Sequence, residues 1–315
     1  MNSSYFSKIS YMLNYFSKQF GLSKTIKGIF FYNYRIVRRV FLDTSKEHIL
    51  KINGHKFATI PNDKGISEEL LMFKTHEPLS TKLFGTFLKP GMTCLDVGSN
   101  IGYYVCLENQ IIGKNGRIIS IEPSPINFKY LQKNVELQES NNIELHNFAC
   151  GNRDGKIDFL VSNRSNWSRV ASNDLVDAPP DAIIEKISIE IKKLDLFLQE
   201  KNLEKLDFVR MDVEGYEFNI LEGLKDTLRT FKPSLQIEVH LFILGNESTA
   251  NLLTFFENLG YVIYYYIPRE MDVPILGNSK DILKPSFKDL HTRLNSNTLP
   301  MNFMLFLRHS DNQIP

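Results

Sequence analysis

The stretch Asp96-Val97-Gly98-Ser99-Asn100-Ile101-Gly102 decides how this chain is read. It follows the apolar run from Met92 to Leu95 and precedes a helix-like segment, Tyr103 to Ile111, so it reads as strand, glycine-rich turn and helix start. Such a turn places a nucleoside-bearing ligand against a helix N-terminus. Glycine serves there twice, once for a backbone angle that other residues dislike and once to let the chain approach a ligand without a Cβ in the way. The acid ahead of the first glycine suits a cationic ligand and would repel a diphosphate. Gly98 and Gly102 are four apart and no G-x-G-x-x-G triplet occurs, so a nicotinamide dinucleotide is the weaker fit.

The next apolar run, Arg117 to Ile121, ends in Glu122-Pro123, twenty residues past Gly102. An acid at the tip of the second strand of a doubly wound sheet can accept hydrogen bonds from both ribose hydroxyls of an adenosine. Together with the acid-glycine turn, this arrangement points to S-adenosylmethionine. A third strand, Asn142 to Ala149, ends where Ala149 would contact the adenine edge. The fourth, Leu206 to Met211, ends in Asp212-Val213-Glu214-Gly215-Tyr216-Glu217, and the fifth, Leu235 to Val239, carries Glu238 and ends at His240. Carboxylates at neighbouring strand tips fall at the carboxyl edge of the sheet, beside the ligand crevice. Acids at Glu214 and Glu217 would also suit the N-terminus of the helix that follows.

Working outward, 315 residues hold a large α/β domain with additions, and a net charge of +1 gives no indication of a nucleic-acid-binding surface. The charge is unevenly spread, because residues 1–42 carry seven Lys or Arg and no Asp or Glu. In that segment Phe6, Ile9, Leu13, Phe16 and Phe20 step by three and four, the pattern of an amphipathic helix. Docking on the core, peripheral contact with an anionic membrane and cleavage as a transit segment are all open for it. Cys94, Cys106 and Cys150 are too few for a disulfide framework, so a reducing, cytoplasmic setting is expected. No apolar run reaches the ~20 residues that span a bilayer.

His48 to Ile60 reads as a hairpin about Asn53-Gly54, and Ser67 to Leu88 as a helical run interrupted at Pro78, with His76 and Glu77 on it. The segment 162–186, with Asn166 and the single Trp167, reads as a loop insertion, and covering the acceptor substrate and a plain surface insertion are both open for it. Beyond it, Ser248 to Leu259 is helical, Tyr261 to Ile267 is a sixth strand, and Asn302 to Leu307 is a late antiparallel edge strand. The expectation is an α/β fold with a doubly wound, mostly parallel seven-stranded sheet.

These residues resemble the FkbM-type methyltransferase family, a branch of the class I S-adenosylmethionine-dependent fold. The likeness rests on Asp96 to Tyr104, on Glu122-Pro123 with Asn134, on Lys193-Leu194-Asp195, and on Met211 to Glu217, and it extends through Glu238. It implies methyl transfer to oxygen, often on a sugar or other small molecule. On this reading residues 1–45 are a basic aromatic extension, 46–90 a hairpin and helix leading into the core, and 91–310 the methyltransferase domain. Asp96, Gly98, Asn100, Gly102, Glu122, Pro123, Ala149 and Asp212 are the candidate cofactor residues, and Asp212, His240 and Glu214 the candidate catalytic ones. An aliphatic hydroxyl needs a base or a metal to lower its pKa. Asp212 or His240 would be the base, and Asp212 with Glu238 would be the ligands if an ion such as Mg²⁺ took that role. Two alternatives stay open, a non-catalytic S-adenosylmethionine- or nucleotide-binding module and an N-methyltransferase. A nucleic-acid N-methyltransferase would carry an Asn/Asp-Pro-Pro-aromatic turn after the fourth strand, and the chain has Asp212-Val213-Glu214-Gly215 there.

Overall fold

The computed structural model describes residues 13–14, 17–171 and 182–312. Phe6, Ile9 and Phe16 of the N-terminal pattern, and Pro179-Pro180 of the insertion, lie outside the described residues. Helix α1 (Leu22–Val40) leads to the hairpin of β1 (Ile49–Ile52) and β2 (His55–Ala58). Asn53 and Gly54 have φ of 49° and 90°, the left-handed pair a type I′ turn needs, and Ile52 pairs with His55 across them. The helical run divides into α2 (Ile66–Phe73) and α3 (Pro78–Phe87). Pro78 lacks an N–H and sits in the first turn of the second helix, where no donor is required.

The core then alternates as expected: β3 (Thr93–Val97), α4 (Tyr103–Ile112), β4 (Arg117–Ile121), α5 (Pro125–Glu136) and β5 (Ile143–His146). Next come β6 (Ala149–Gly151), β7 (Gly155–Ser162), β8 (Arg169–Val170) and β9 (Ile183–Lys193), followed by α6 (Leu194–Glu200), β10 (Phe208–Met211), α7 (Glu217–Gly223), α8 (Lys225–Phe231) and β11 (Ser234–Val239). The helical stretch α9 (Leu241–Asn258) breaks at Gly245, and β12 (Tyr261–Pro268), α10 (Phe287–Asn295) and β13 (Phe303–His309) complete the chain.

The main sheet has seven strands in the order β12-β13-β11-β10-β3-β4-β5. The run from β11 to β5 is parallel throughout, and β13 is antiparallel to both of its neighbours. This is the doubly wound, mostly parallel sheet expected, with two corrections. The last strand is not an edge, because β13 inserts between β11 and β12 and leaves β12 outermost. The third strand is two: β5 stays in the main sheet, while β6 pairs with β9 in a second sheet of order β6-β9-β7-β8. Asn147 sits at the break, where its side-chain N–H₂ donates to the carbonyls of Glu122 (2.7 Å) and Pro123 (3.2 Å).

Central strands buried on both faces explain the apolar runs. Leu95, Val97, Val209 and Met211 face one layer with Phe197, Ile220, Leu228 and Phe256, while Cys94 and Phe208 face the other with the hairpin and α2 to α5. On that second face the register aligns Ser120, Asp96, Arg210 and Gln236 into a buried polar row across four strands. Strand order reverses between β3 and β10, so the crevice of a doubly wound sheet lies at their carboxyl ends.

Candidate active site

The turn after β3 is built around a close approach. Gly98 has φ +80°, and a Cβ on it would stand 1.8 Å from the carbonyl oxygen of Asp212 at the tip of β10. Only glycine lets these two tips touch. The N–H groups of Gly98 and Ser99 donate to the carbonyl of Ile121, at 2.9 and 3.1 Å, locking the turn to β4. Asn100, with φ 51°, then donates its N–H to Glu122 Oε2 at 2.8 Å, and Ser124 donates its N–H to Oε1 at the same distance. Burial pushes the Glu122 carboxyl up to about 7, against the pull of those two N–H groups.

Glu122 lines a cleft together with Gly98, Asn100, Pro123, Ala149, Asp212 and Glu214. Its far wall is Phe159 and Val170 of the second sheet with Asn166 and Ser168 of the loop between β7 and β8. A wider cleft of about 1440 Å³ adjoins it, lined on one side by Tyr104, Arg210, Glu238, His240 and Arg269 and on the other by Lys64, Arg164 and Trp167. Four residues line both cavities: Asn100, Asn166, Asp212 and Glu214.

The wider cleft is floored by alternating charge. Arg210 donates from Nη2 to Asp212 Oδ2 at 2.9 Å, from Nη1 to the Gly98 carbonyl at 3.2 Å, and lies 3.4 Å from Asp96 Oδ1. Its guanidinium covers the Tyr104 ring at 4.3 Å, and the Tyr104 hydroxyl donates to Glu77 at 2.7 Å. Arg269 bridges Glu77 (3.1 Å) to Glu238 (3.3 Å). His240 is buried and donates from Nδ1 to Glu217 at 2.5 Å, while its Nε2 lies 3.3 Å from Glu214, 3.6 Å from Glu238 and 3.9 Å from Asp212. Burial opposes a charged imidazole, but Glu214, Glu217 and Glu238 outweigh it and hold His240 well above its ordinary range. Burial raises Glu214 to about 7, with His240 pulling the other way, and raises Glu238 to about 8.

The expected cofactor residues therefore separate into two groups. Gly98, Asn100, Glu122, Pro123, Ala149 and Asp212 share the smaller cleft. Asp96 and Gly102 do not line it. Asp96 is fully buried beneath the turn, where it accepts from Ser99 Oγ at 3.0 Å and faces Arg210. Gly102, with φ +88°, packs on Leu131. His240 and Glu238 line only the wider cleft, and Trp167 of the insertion lines it as well. Asp195 of the Lys193-Leu194-Asp195 motif lies elsewhere and caps α8, accepting from the N–H of Thr227 at 2.9 Å. Arg210 and Arg269 had no place in the expectation. The one local signal for Arg210 was an arginine inside an otherwise apolar strand, two residues before an acid. His240, expected as a base, is buried with Nδ1 hydrogen-bonded to Glu217 and with Nε2 facing the carboxylates of Glu214, Glu238 and Asp212, which favour its charged form.

The family described as the Methyltransferase FkbM domain matches residues 96–263. Among characterised proteins, Methyltransferase 1 of Beauveria bassiana is 26% identical over 145 residues, covering 42% of this chain and 58% of that protein. The 2-O-methyltransferase NoeI of Sinorhizobium fredii is 28% identical over 174 residues, 52% of this chain and 69% of its own length. The hexuronic acid methyltransferase AglP of Haloferax volcanii is 26% identical over 159 residues, 50% and 59% of the two chains. The chain thus spans about six-tenths of the length of the relatives it matches.

Proposed function

This chain belongs to the FkbM methyltransferase family, and from that premise we propose that it transfers a methyl group from S-adenosylmethionine to a hydroxyl oxygen of a sugar or glycan. The observation that carries the reading is the wall common to the two clefts, where Asn100, Asn166, Asp212 and Glu214 face both. A donor in the smaller cleft, with its ribose on Glu122 and its adenine near Ala149, brings its sulfonium to that wall. An acceptor in the wider cleft meets it from the other side. The names of NoeI and AglP support a sugar acceptor. So does the lining of the wider cleft, where the Arg164 guanidinium stacks on Trp167 at 4.6 Å and offers the flat, polar surface that sugar rings favour.

In the reaction the acceptor oxygen attacks the methyl carbon in line with the sulfonium, and the C–S bond breaks with its electron pair going to sulfur, which leaves S-adenosylhomocysteine. Glu214 takes the hydroxyl proton. Its carboxyl titrates at about 7, near the working pH, where a general base is most effective. Asp212, held by Arg210, faces the cationic sulfur and keeps donor and acceptor aligned. His240 and Glu217 position Glu214 from behind.

A second reading of the same wall is favoured by one observation: ligand atoms of Asp212, Glu238 and His240 lie within 4.8 Å of one another. Those residues would hold a divalent cation, and a bound ion would supply acidification of the acceptor hydroxyl. An imidazole with two carboxylates suits a transition ion better than Mg²⁺. Against it, Arg210 and Arg269 already neutralise the two carboxylates. Methyl-labelled S-adenosylmethionine with uronic-acid and neutral oligosaccharides, assayed with and without EDTA, tests both readings. Label in an acid- and base-stable methyl ether, unaffected by EDTA, is the expected result. Loss of turnover on chelation would transfer the role to the ion.

A further inference from the structure

Helix α1 is amphipathic with the wrong side outward. At 100° per residue, Leu22, Ile26, Ile29, Phe30, Ile36, Val37 and Val40 fall on one stripe along the 19-residue helix. That stripe faces solvent: Leu22 is 70% exposed, Phe30 62% and Val40 77%, against 8% for Phe31 on the opposite side. The side facing the protein is the charged one. Lys24 pairs with Asp281, Arg39 makes a bidentate pair with buried Glu68 (2.6 and 2.7 Å), and Arg38 donates to the Met72 carbonyl at 3.2 Å. Phe31 stacks on Phe73 at 5.5 Å beside them. A helix that anchors itself through ion pairs and leaves its apolar stripe in water is built to bury that stripe in something else.

We propose that α1 seats the protein on the surface of an anionic phospholipid bilayer. Charge argues for the occupant: residues 1–42 carry seven Lys or Arg and no acid, and while Lys24, Arg35 and Arg39 turn inward to Asp281 and Glu68, Lys18 and Lys27 are exposed. Length and composition argue for lying on the surface and against crossing it, since no described helix is long and apolar enough to span a membrane. Phe30 and Phe41, both exposed, would enter the boundary between headgroups and acyl chains. Arg35, on the opposite face of the same helix, lines the wider cleft.

The test is co-sedimentation of the full chain with vesicles of phosphatidylcholine alone and with phosphatidylglycerol added, beside the variant Phe30→Ser/Val37→Ser, whose positions touch neither cleft. Melting temperature serves as the folding control. The expected result is binding to the anionic vesicles, roughly tenfold weaker to the neutral ones, and on the order of a hundredfold weaker for the variant at an unchanged melting temperature. No binding by the wild type, or equal binding by the variant, overturns the proposal. A concentration-dependent dimer that the variant dissolves, without vesicle binding, overturns it in favour of a second copy of this chain.

Discussion

Glu122→Gln isolates the group on which donor binding is argued to turn. The N–H groups of Asn100 and Ser124 donate to its two oxygens and the Asn127 side chain donates as well, so the ribose hydroxyls would share the lone pairs that remain. Gln replaces an anionic acceptor with a neutral oxygen and a second donor, so at pH 8 S-adenosylhomocysteine should bind about 1–3 kcal/mol more weakly, roughly 5- to 150-fold. The pH dependence is more telling. With the wild-type carboxyl at about 7 in the free protein, binding that needs the anion should weaken by about tenfold per pH unit below that value and level off above it. Stability of the unliganded protein runs the other way. The folded pKa is raised above the ordinary 4.5, so the folded state holds the proton longer, and stability falls as pH rises between about 4.5 and 7, by at most roughly 3 kcal/mol. Calorimetric titration of both proteins from pH 5.5 to 8.5 is the assay, and the Gln variant separates the Glu122 titration from that of Glu214, which lines the same cleft. A flat profile for the wild type, or an equal slope in the Gln variant, refutes the assignment.

Glu214→Gln should lower kcat by about 10²- to 10⁴-fold with little change in donor affinity, and Asp212→Asn should lower kcat with a smaller loss in donor binding; single-turnover assays beside calorimetry separate the two. Gly98→Ala forces a Cβ against the Asp212 carbonyl at a positive φ, so it should cost about 3 kcal/mol or more in urea unfolding and abolish donor binding in whatever remains folded. Arg210→Met leaves Asp96 fully buried without its guanidinium and should cost about 3–5 kcal/mol by the same measurement, with the Asp96→Asn/Arg210→Met double variant recovering part of the loss.

What could be read in advance was local. A strand, a left-handed glycine and a helix start are encoded within seven residues, and the acid at the tip of β4 needs only its distance from that turn to be recognised. Asn53-Gly54 and Pro78 likewise act on their immediate neighbours. What local pattern does not carry is long-range register. The Arg210 partner of Asp96 comes beside it only when β10 pairs with β3, 114 residues along the chain. The carboxylates around His240, Glu214, Glu217 and Glu238, are likewise spread over three elements that converge only in the folded sheet. The break between β5 and β6 escaped notice because apolar alternation runs on past it. Its cause is Asn147 bonding to the strand tip of β4, a partner that no pattern within residues 142–149 reveals.

The most direct test of the central claim, that Asp212 and Glu214 stand where the two clefts meet, is a single-turnover transfer of labelled methyl from S-adenosylmethionine to a uronic-acid oligosaccharide by wild type and Glu214→Gln, both saturated with donor. A methyl ether product from the wild type and a drop of about 10²-fold or more in the variant at equal donor occupancy are the expected results. Equal rates in the two proteins would contradict that claim.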